Sequence, residues 1–347
     1  MATKSKPPKD ILYNVRNLSV EFHTRIGKLN AVDNVSLDIK RGEVLGLVGE
    51  SGCGKSTLGK AMLRMIQDPG KITTGELLFH PKMIDGSQEG IELRSISDNE
   101  MRELRGSHIS MVFQDPMTSL NPVQRVVDHI TETIQTHEPT ISKKAACARA
   151  AELVDRLGIN RNRLDDFPHQ LSGGMRQRVM ISLALALRAD LVIADEATTS
   201  LDVIVEAQFL DLLKELREEF NLTILLITHN IGLVAEIADR VLVMYAGRIA
   251  ELAEVGELFK NPQHPYSQGL MNAVPNIRLK DDELYKMPGS PPNLVNPPSG
   301  CHFHPRCPQV MDICSETSPT LKINSAGHLV NCWLYEKQPT GSGEITP

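Results

Sequence analysis

The stretch VLGLVGESGCGKST, residues 44–57, decides the fold of this chain. Its first five residues are almost wholly apolar, which is typical of a strand buried on both faces of a sheet. The next eight, Gly49 to Ser56, fit the pattern G-x-x-x-x-G-K-[ST], and a helical pattern comes after them. Glycines in such a loop let backbone N–H groups surround phosphate oxygens at a helix N-terminus, where negative charge is favoured. The stretch therefore predicts a strand, a phosphate-binding loop (P-loop) and a helix that together bind a nucleotide.

The side chains of this loop have separate predicted roles. Lys55 is expected to reach the β- and γ-phosphates of ATP, and the Ser56 hydroxyl is expected to bind Mg²⁺. The Cys53 side chain is expected to point away from the phosphates. We expect the loop to contact ATP through Gly49, Ser51, Gly52, Cys53, Gly54, Lys55, Ser56 and Thr57.

Two further apolar runs end in residues suited to catalysis. Leu191–Ala194 is followed by Asp195 and Glu196, and Thr223–Thr228 is followed by His229. Strands that alternate with helical patterns indicate an α/β fold with a mainly parallel sheet, in which ligands bind beyond the carboxyl ends of the strands. We therefore expect Asp195 to hold the Mg²⁺ shell and Glu196 to act as the general base on the attacking water.

The roles of two other polar residues stay open on spacing alone. His229 either donates to the γ-phosphate or is an ordinary loop histidine. Gln114 comes after the apolar run 109–113, and either reaches Mg²⁺ and the attacking water or lies on the polar surface.

A second glycine-containing loop precedes an amphipathic helix, and its residues are Leu171, Ser172, Gly173, Gly174 and Met175. Two glycines at a helix N-terminus expose N–H groups and predict another anion site. One nucleotide needs only one phosphate-binding loop, so this second loop requires an explanation outside the first site.

Composition excludes several classes of function. The 347 residues carry 37 basic and 43 acidic side chains, a net charge of −6, and only 4% are aromatic, so neither charge nor base stacking favours nucleic acid. No apolar run approaches the roughly 18 residues of a membrane helix, and residues 1–9 lack the apolar stretch of a signal peptide. We expect a cytoplasmic protein.

Patterning also predicts the domain organisation. Leu18–Phe22 and Val35–Ile39 alternate apolar and polar residues, as half-buried antiparallel strands do. Residues from about 91 to 175 are mainly helical in pattern and predict an inserted helical subdomain. Prolines punctuate the chain beyond residue 262 and exclude a long helix there. We expect a tail at 1–10, a nucleotide-binding domain at 11–255 and a C-terminal extension at 256–347.

The motifs together resemble the ABC ATPases. In that resemblance Leu171–Met175 is the signature loop, Gln114 is the Q-loop glutamine and His229 is the switch histidine. The D-loop residues are Ser200, Leu201 and Asp202, and Phe22 is the aromatic residue that stacks on adenine. The resemblance implies a P-loop NTPase fold, with a RecA-like core, an antiparallel β-subdomain and an inserted helical subdomain. It also implies that ATP lies between two ATPase subunits, each supplying its signature loop to the other's nucleotide.

Three positions depart from the commonest family pattern: Met175 stands for glutamine, Ala197 for proline, and Asn230 comes after the switch histidine. None of these replacements removes a predicted catalytic side chain, so we expect hydrolysis of ATP and not binding alone. The rival is a soluble ABC ATPase that acts without a permease, and the sequence shows neither a fused second cassette nor a strongly basic region that would favour it.

A narrower resemblance, to ATPases of the oligopeptide/dipeptide importer group, covers nearly the whole chain. It is carried by FQDPMTSLNP at 113–122, YAGR at 245–248, GSPP at 289–292 and CHFHPRCP at 301–308. The resemblance implies two permease subunits, a second and related ATPase, an extracytoplasmic solute-binding protein and a place on the cytoplasmic face of the membrane. The solute itself, whether dipeptide, oligopeptide, nickel chelate or oligosaccharide, is not encoded in this subunit.

Four cysteines, Cys301, Cys307, Cys314 and Cys332, lie in the extension. In a reducing cytoplasm such a cluster indicates metal more often than disulfides. Their spacing fits neither a zinc ribbon nor a common ferredoxin run. The resemblance implies a [4Fe–4S] cluster, and Zn²⁺ or free or paired thiols are the alternatives.

Overall fold

The computed structural model describes residues 10–81, 90–113, 119–198, 203–273, 287–323 and 327–336. Its first sheet is antiparallel, in the order β2-β1-β4-β5. The two strands that the alternating pattern predicts pair with each other, with Leu18 opposite Val35, and both run further than the pattern indicates. The strands of this sheet are β1 Ile11–Thr24, β2 Gly27–Lys40, β4 Gly70–Phe79 and β5 Ile91–Glu92.

The second sheet holds the nucleotide-binding motifs. Its order is β11-β12-β10-β9-β3-β8-β7-β6, and β9, β3, β8, β7 and β6 are parallel. Every residue of β3, β7 and β8 is buried, because both faces of the parallel sheet are covered. One face packs mainly on helices, and the other shares a hydrophobic core with the first sheet and the helix Lys55–Met62. The strands are β3 Val44–Val48, β6 Ile109–Val112, β7 Leu191–Asp195, β8 Thr223–Ile227, β9 Arg240–Tyr245, β10 Arg248–Glu254, β11 Lys322–Ile323 and β12 Leu329–Val330.

The helices begin at residues that the sequence marks. Ser97, Ser142 and Ser172 each accept a hydrogen bond from the helix that they precede. In chain order the α-helices are α1 Lys55–Met62, α2 Asp98–Ser107, α3 Val126–His137, α4 Lys143–Arg156, α5 Gly173–Leu185, α6 Val203–Phe220, α7 Ile231–Ile237, α8 Val255–Lys260, α9 Pro265–Asn272 and α10 Asp312–Glu316. Short 3-10 turns lie at Arg161–Asp165, Pro168–Gln170, His304–Arg306 and Trp333–Tyr335.

The predicted helical subdomain of about residues 91–175 contains strands at its start. β5 pairs with β4 in the first sheet, and β6 pairs with β7 in the second. Helices α3, α4 and α5 come next, and the small side chains of Ala146 and Ala150 let α4 pack closely on the buried Ile130 and Ile134 of α3.

The C-terminal extension continues the second sheet. β12 pairs antiparallel with β10, with Glu251 opposite Val330, and β11 pairs with β12 at the edge. No helix among the described residues is both long and apolar enough to span a membrane.

Candidate active site

The P-loop connects β3 to α1, as the sequence predicts. Gly49 has φ 154° and Gly54 has φ 106°, and a Cβ on either would lie 2.1 Å from a backbone oxygen, that of Met244 or Ala31. Only glycine fits these two positions, because the loop passes directly against neighbouring backbone. The buried Lys55 Nζ donates to the carbonyl oxygens of Gly49 at 2.9 Å and Glu50 at 3.2 Å. The ammonium group is thus held inside the loop that the glycines shape.

The predicted magnesium ligands Ser56 and Asp195 lie together. The Ser56 hydroxyl donates to Asp195 Oδ1 at 2.7 Å, across 139 residues of sequence. Burial raises the pKa of the Asp195 carboxyl, which is 2% exposed, while the hydrogen bond from Ser56 opposes that rise. A hydroxyl and a carboxylate at the carboxyl end of β7 form an oxygen donor set that fits Mg²⁺.

Glu196 and His229 are brought together at the ends of the neighbouring strands β7 and β8. Glu196 Oε1 lies 3.7 Å from His229 Nδ1, with the Glu196 side chain 15% exposed and that of His229 55% exposed. Glu196 has φ 46°, which non-glycine residues seldom adopt, and its N–H donates to the Ile227 oxygen at 2.8 Å. The backbone therefore fixes the direction of the carboxylate that we predict to act as base.

The signature loop is exposed to solvent. Ser172 is the N-cap of α5, and its hydroxyl accepts a hydrogen bond from the Met175 N–H at 3.3 Å. Leu171 is buried and anchors the loop, whereas Ser172 and Gly173 are exposed, and a Cβ at Gly173 would meet nothing within 4 Å. The start of a 13-residue helix is thus open to a second molecule.

Of the other residues predicted to serve the nucleotide sites, the structure describes some and not others. Phe22 is half-buried, its ring lies beside Gly70, and it packs against the hydrophobic core that the first sheet helps to form. Cys53 is buried, as expected for a side chain directed away from phosphate. Gln114 and the D-loop residues Ser200, Leu201 and Asp202 lie outside the described residues.

The structure does not support the predicted iron–sulfur cluster or its zinc alternative. Within the described ranges, no group of three or more His, Cys, Asp or Glu side chains converges to hold a metal ion. The four cysteines are unpaired, and burial together with the neighbouring thiolates raises the pKa of Cys332 to about 12. A metal would have to displace the thiol proton of Cys332 in order to bind there.

Sequence reasoning missed one neighbour of the P-loop. Glu50, a variable position of the motif, forms an ion pair with Arg306 of the extension, and its N–H donates to the Tyr266 hydroxyl. The P-loop pattern allows any residue at this position. The sequence therefore carries no signal that Glu50 pairs with an arginine of the extension.

Comparison with known proteins agrees with this geometry. Residues 32–199 match the family described as ABC transporter, and residues 250–314 match the one described as oligopeptide/dipeptide transporter, C-terminal region. The chain is 44% identical over 328 residues to the dipeptide transport ATP-binding protein DppD of Bacillus subtilis, covering 94% of this chain and 95% of that protein. It is also 44% identical over 334 residues to the oligopeptide transport ATP-binding protein OppD of Salmonella typhimurium, covering 96% of each.

The chain is also similar to solved structures of ABC transporter cassettes. The dimeric structure of MJ0796, a bacterial ABC transporter cassette, matches with a TM-score of 0.61 at 28% identity, covering 70% of this chain and 99% of that one. A post-hydrolysis state of the same cassette, bound to ADP and Pi, matches equally well at 27% identity. The predicted P-loop NTPase fold is confirmed. The chain belongs to the ABC transporter ATPases and carries the C-terminal region of the oligopeptide/dipeptide transporters.

Proposed function

We propose that this chain is the ATP-hydrolysing subunit of an importer for di- or oligopeptides or related small solutes. The observation that carries the proposal is the convergence of Lys55, the Ser56–Asp195 pair and the Glu196–His229 pair at the carboxyl ends of parallel strands. The relatives named above are dipeptide and oligopeptide transport ATP-binding proteins that align along almost the whole chain.

Each residue of the site has its own proposed role in the hydrolysis of ATP. The loop 49–56 holds the phosphates through its N–H groups and Lys55. Mg²⁺ at Ser56 and Asp195 would neutralise charge on the phosphate oxygens. Glu196 orients and deprotonates the attacking water, and His229 donates to the γ-phosphate from the next strand. Glu196 and His229 follow β7 and β8 at the same edge of the sheet at which the P-loop follows β3.

The exposed signature loop completes the nucleotide site of another ATPase subunit. Ser172 and the N–H groups of Gly173 and Gly174 present an anion site that the chain's own P-loop does not require. We propose that ATP is bound between two such subunits, the second being a related chain in a heterodimer. A second copy of this chain is the alternative, and the mass of the purified complex separates the two.

The transporter context is inferred from the family and from the C-terminal region. We propose that two permease subunits dock on this ATPase at the cytoplasmic face of the membrane, and that an extracytoplasmic solute-binding protein delivers the solute. ATP-driven closure of the two ATPases, and reopening after hydrolysis, would switch the access of the permease. Peptide is the proposed solute, with nickel chelates and oligosaccharides as the alternatives to be screened.

The test is the ATPase rate of the complex, purified anaerobically with its permease partners in lipid, with and without the binding protein and peptides. Stimulation by a peptide that Glu196→Gln abolishes, while the exposed Glu215→Gln keeps it, supports the proposal. Strong activity that ignores every peptide points to another solute. Failure to associate with any permease favours a soluble ABC ATPase instead.

The iron–sulfur cluster is kept as a prediction of the resemblance alone. Iron, sulfide and zinc content of the anaerobically purified protein tests it. Stoichiometric iron and sulfide would establish a cluster, and stoichiometric zinc would establish the alternative. The absence of all three would mean that the four cysteines are free thiols.

A further inference from the structure

The extension reaches the nucleotide site through one ion pair. The Arg306 guanidinium donates to both carboxylate oxygens of Glu50, with Nη1 2.8 Å from Oε2 and Nη2 3.0 Å from Oε1. Glu50 is the second residue of the P-loop, and 256 residues separate the pair in sequence. The Arg306 side chain is 5% exposed and that of Glu50 27% exposed. A two-pronged guanidinium–carboxylate contact shielded in this way is stronger and better oriented than a surface ion pair.

Contacts other than the one with Glu50 also fix the Arg306 side chain. Its Nε donates to the Pro288 oxygen at 2.8 Å, and Nη1 donates to the Tyr245 hydroxyl at 3.2 Å. The guanidinium also lies 5.7 Å from the ring centre of Tyr245 and 6.0 Å from that of Phe303. Because these contacts fix the side chain, little conformational freedom is lost when it binds the carboxylate.

A second contact from beyond the cassette holds the backbone of Glu50. The Glu50 N–H donates to the Tyr266 hydroxyl at 2.9 Å, and Tyr266 is completely buried in helix α9. The Tyr266 ring packs on Tyr245 and Phe303, the same aromatic side chains that flank Arg306. The side chain and the main chain of Glu50 are therefore both positioned by one cluster.

The negative charge of Glu50 gives the contact with Arg306 a possible effect on ATP binding. A carboxylate in a loop that binds phosphates repels a triphosphate, unless a cation neutralises the carboxylate. The Glu50 carbonyl also accepts from Lys55 Nζ, so a shift of Glu50 displaces the ammonium that binds ATP. Arg306 opposes both effects at once.

We propose that Arg306 is a positioning residue for ATP, which neutralises Glu50 and fixes the P-loop from the C-terminal extension. The proposal rests on the proposed role of residues 49–56 in binding ATP. The competing explanation is that the ion pair only attaches the extension to the cassette. The two differ in one respect: under the proposal, removing the Glu50 charge should compensate for the loss of Arg306.

The experiment measures KM for ATP and kcat of the transporter complex for Arg306→Met, Glu50→Gln and the double variant. We expect Arg306→Met to raise KM about tenfold, the equivalent of one uncompensated charge interaction, with kcat changed less than about twofold. The double variant should recover most of the affinity for ATP, and Arg306→Lys should be intermediate because a lysine keeps the charge without the second hydrogen bond.

A matched control loosens the extension without touching Glu50. Ser318 accepts a hydrogen bond from Arg248 at 2.6 Å and donates to the Gly300 oxygen, and Ser318→Ala removes both contacts. This variant should keep the wild-type KM even if it lowers the melting temperature. A wild-type KM in Arg306→Met overturns the proposal, and so does a double variant as weak as Arg306→Met. Lys55→Ala reports on the ATP site independently: normal hydrolysis in that variant would refute the site itself, whatever Arg306 does.

Discussion

Replacing Glu251 with glutamine tests whether this one carboxylate holds the extension against the main sheet. Glu251 lies on β10 and is fully buried. Its carboxylate accepts hydrogen bonds from the N–H groups of Gln263 at 2.7 Å and His264 at 2.8 Å, and from His328 Nε2 at 2.5 Å. One side chain therefore joins the sheet to the start of α9 and to the segment before β12.

The size of the effect depends on the donors that Glu251 serves. A glutamine offers one acceptor oxygen in place of two, and its amide N–H₂ then faces another donor. A buried donor left without an acceptor costs about 1–3 kcal/mol, and the bonds that survive lose the contribution of the charged acceptor. Together these terms predict a loss of roughly 2–5 kcal/mol in the free energy of unfolding of the extension.

Urea unfolding monitored by circular dichroism, with amide hydrogen exchange over residues 327–336, measures this loss. We expect an earlier transition and faster exchange in the extension, before β3, β7 and β8 are exposed. Glu254→Gln is the control, since Glu254 is exposed at the end of the same strand. Unchanged midpoint and exchange in Glu251→Gln would refute the argument that this carboxylate holds the extension.

Three further outcomes are expected. Glu196→Gln should lower kcat by about 10²–10⁴-fold while keeping the affinity for ATP, measured by single-turnover hydrolysis and nucleotide binding. Gly173→Asp should fold normally, since a Cβ there meets nothing within 4 Å, but the added negative charge should abolish ATP-dependent association of the ATPases in size-exclusion chromatography. Burial lowers the pKa of His264 from 6.5 to about 4, so the unfolded chain binds the proton first and this side chain's contribution to stability falls by roughly 3 kcal/mol as the pH drops from 6.5 to 4. His264→Asn, which keeps an acceptor for the Tyr266 N–H, should flatten that pH dependence in urea titrations at pH 7 and pH 5.

The parallel core could be predicted from sequence because each of its central strands carries two independent signals. β3, β7 and β8 are mainly apolar and buried throughout, and each leads into residues whose chemistry belongs at a strand's carboxyl end. β6 has only four residues, and β5 only two. A segment of two to four residues does not distinguish a strand from a turn of helix, so both strands lie inside the region predicted as helical.

The edge strands of the extension escaped prediction for a different reason. β11 and β12 have two residues each. β12 is a strand because β10 supplies its hydrogen-bond partners from more than 70 residues earlier in the chain, and β11 is a strand because it pairs with β12. Nothing local in those residues specifies that partner, since tertiary context decides the structure of such short segments. The cysteine pattern predicts a metal site in the extension, but it gives no role to Arg306, which precedes Cys307 in sequence.

A glutamate at a variable P-loop position makes the nucleotide site depend on the C-terminal extension. The P-loop pattern accepts Glu50, and under the proposal the carboxylate weakens phosphate binding unless a cation compensates it. Arg306 provides that cation and Tyr266 fixes the backbone, and both come from sequence beyond the predicted boundary at residue 255. A chain cut at that boundary would lose both contacts with Glu50 and uncover the Tyr245 ring. The nucleotide site and the extension are therefore parts of one structural unit, although their motifs read as separate in the sequence.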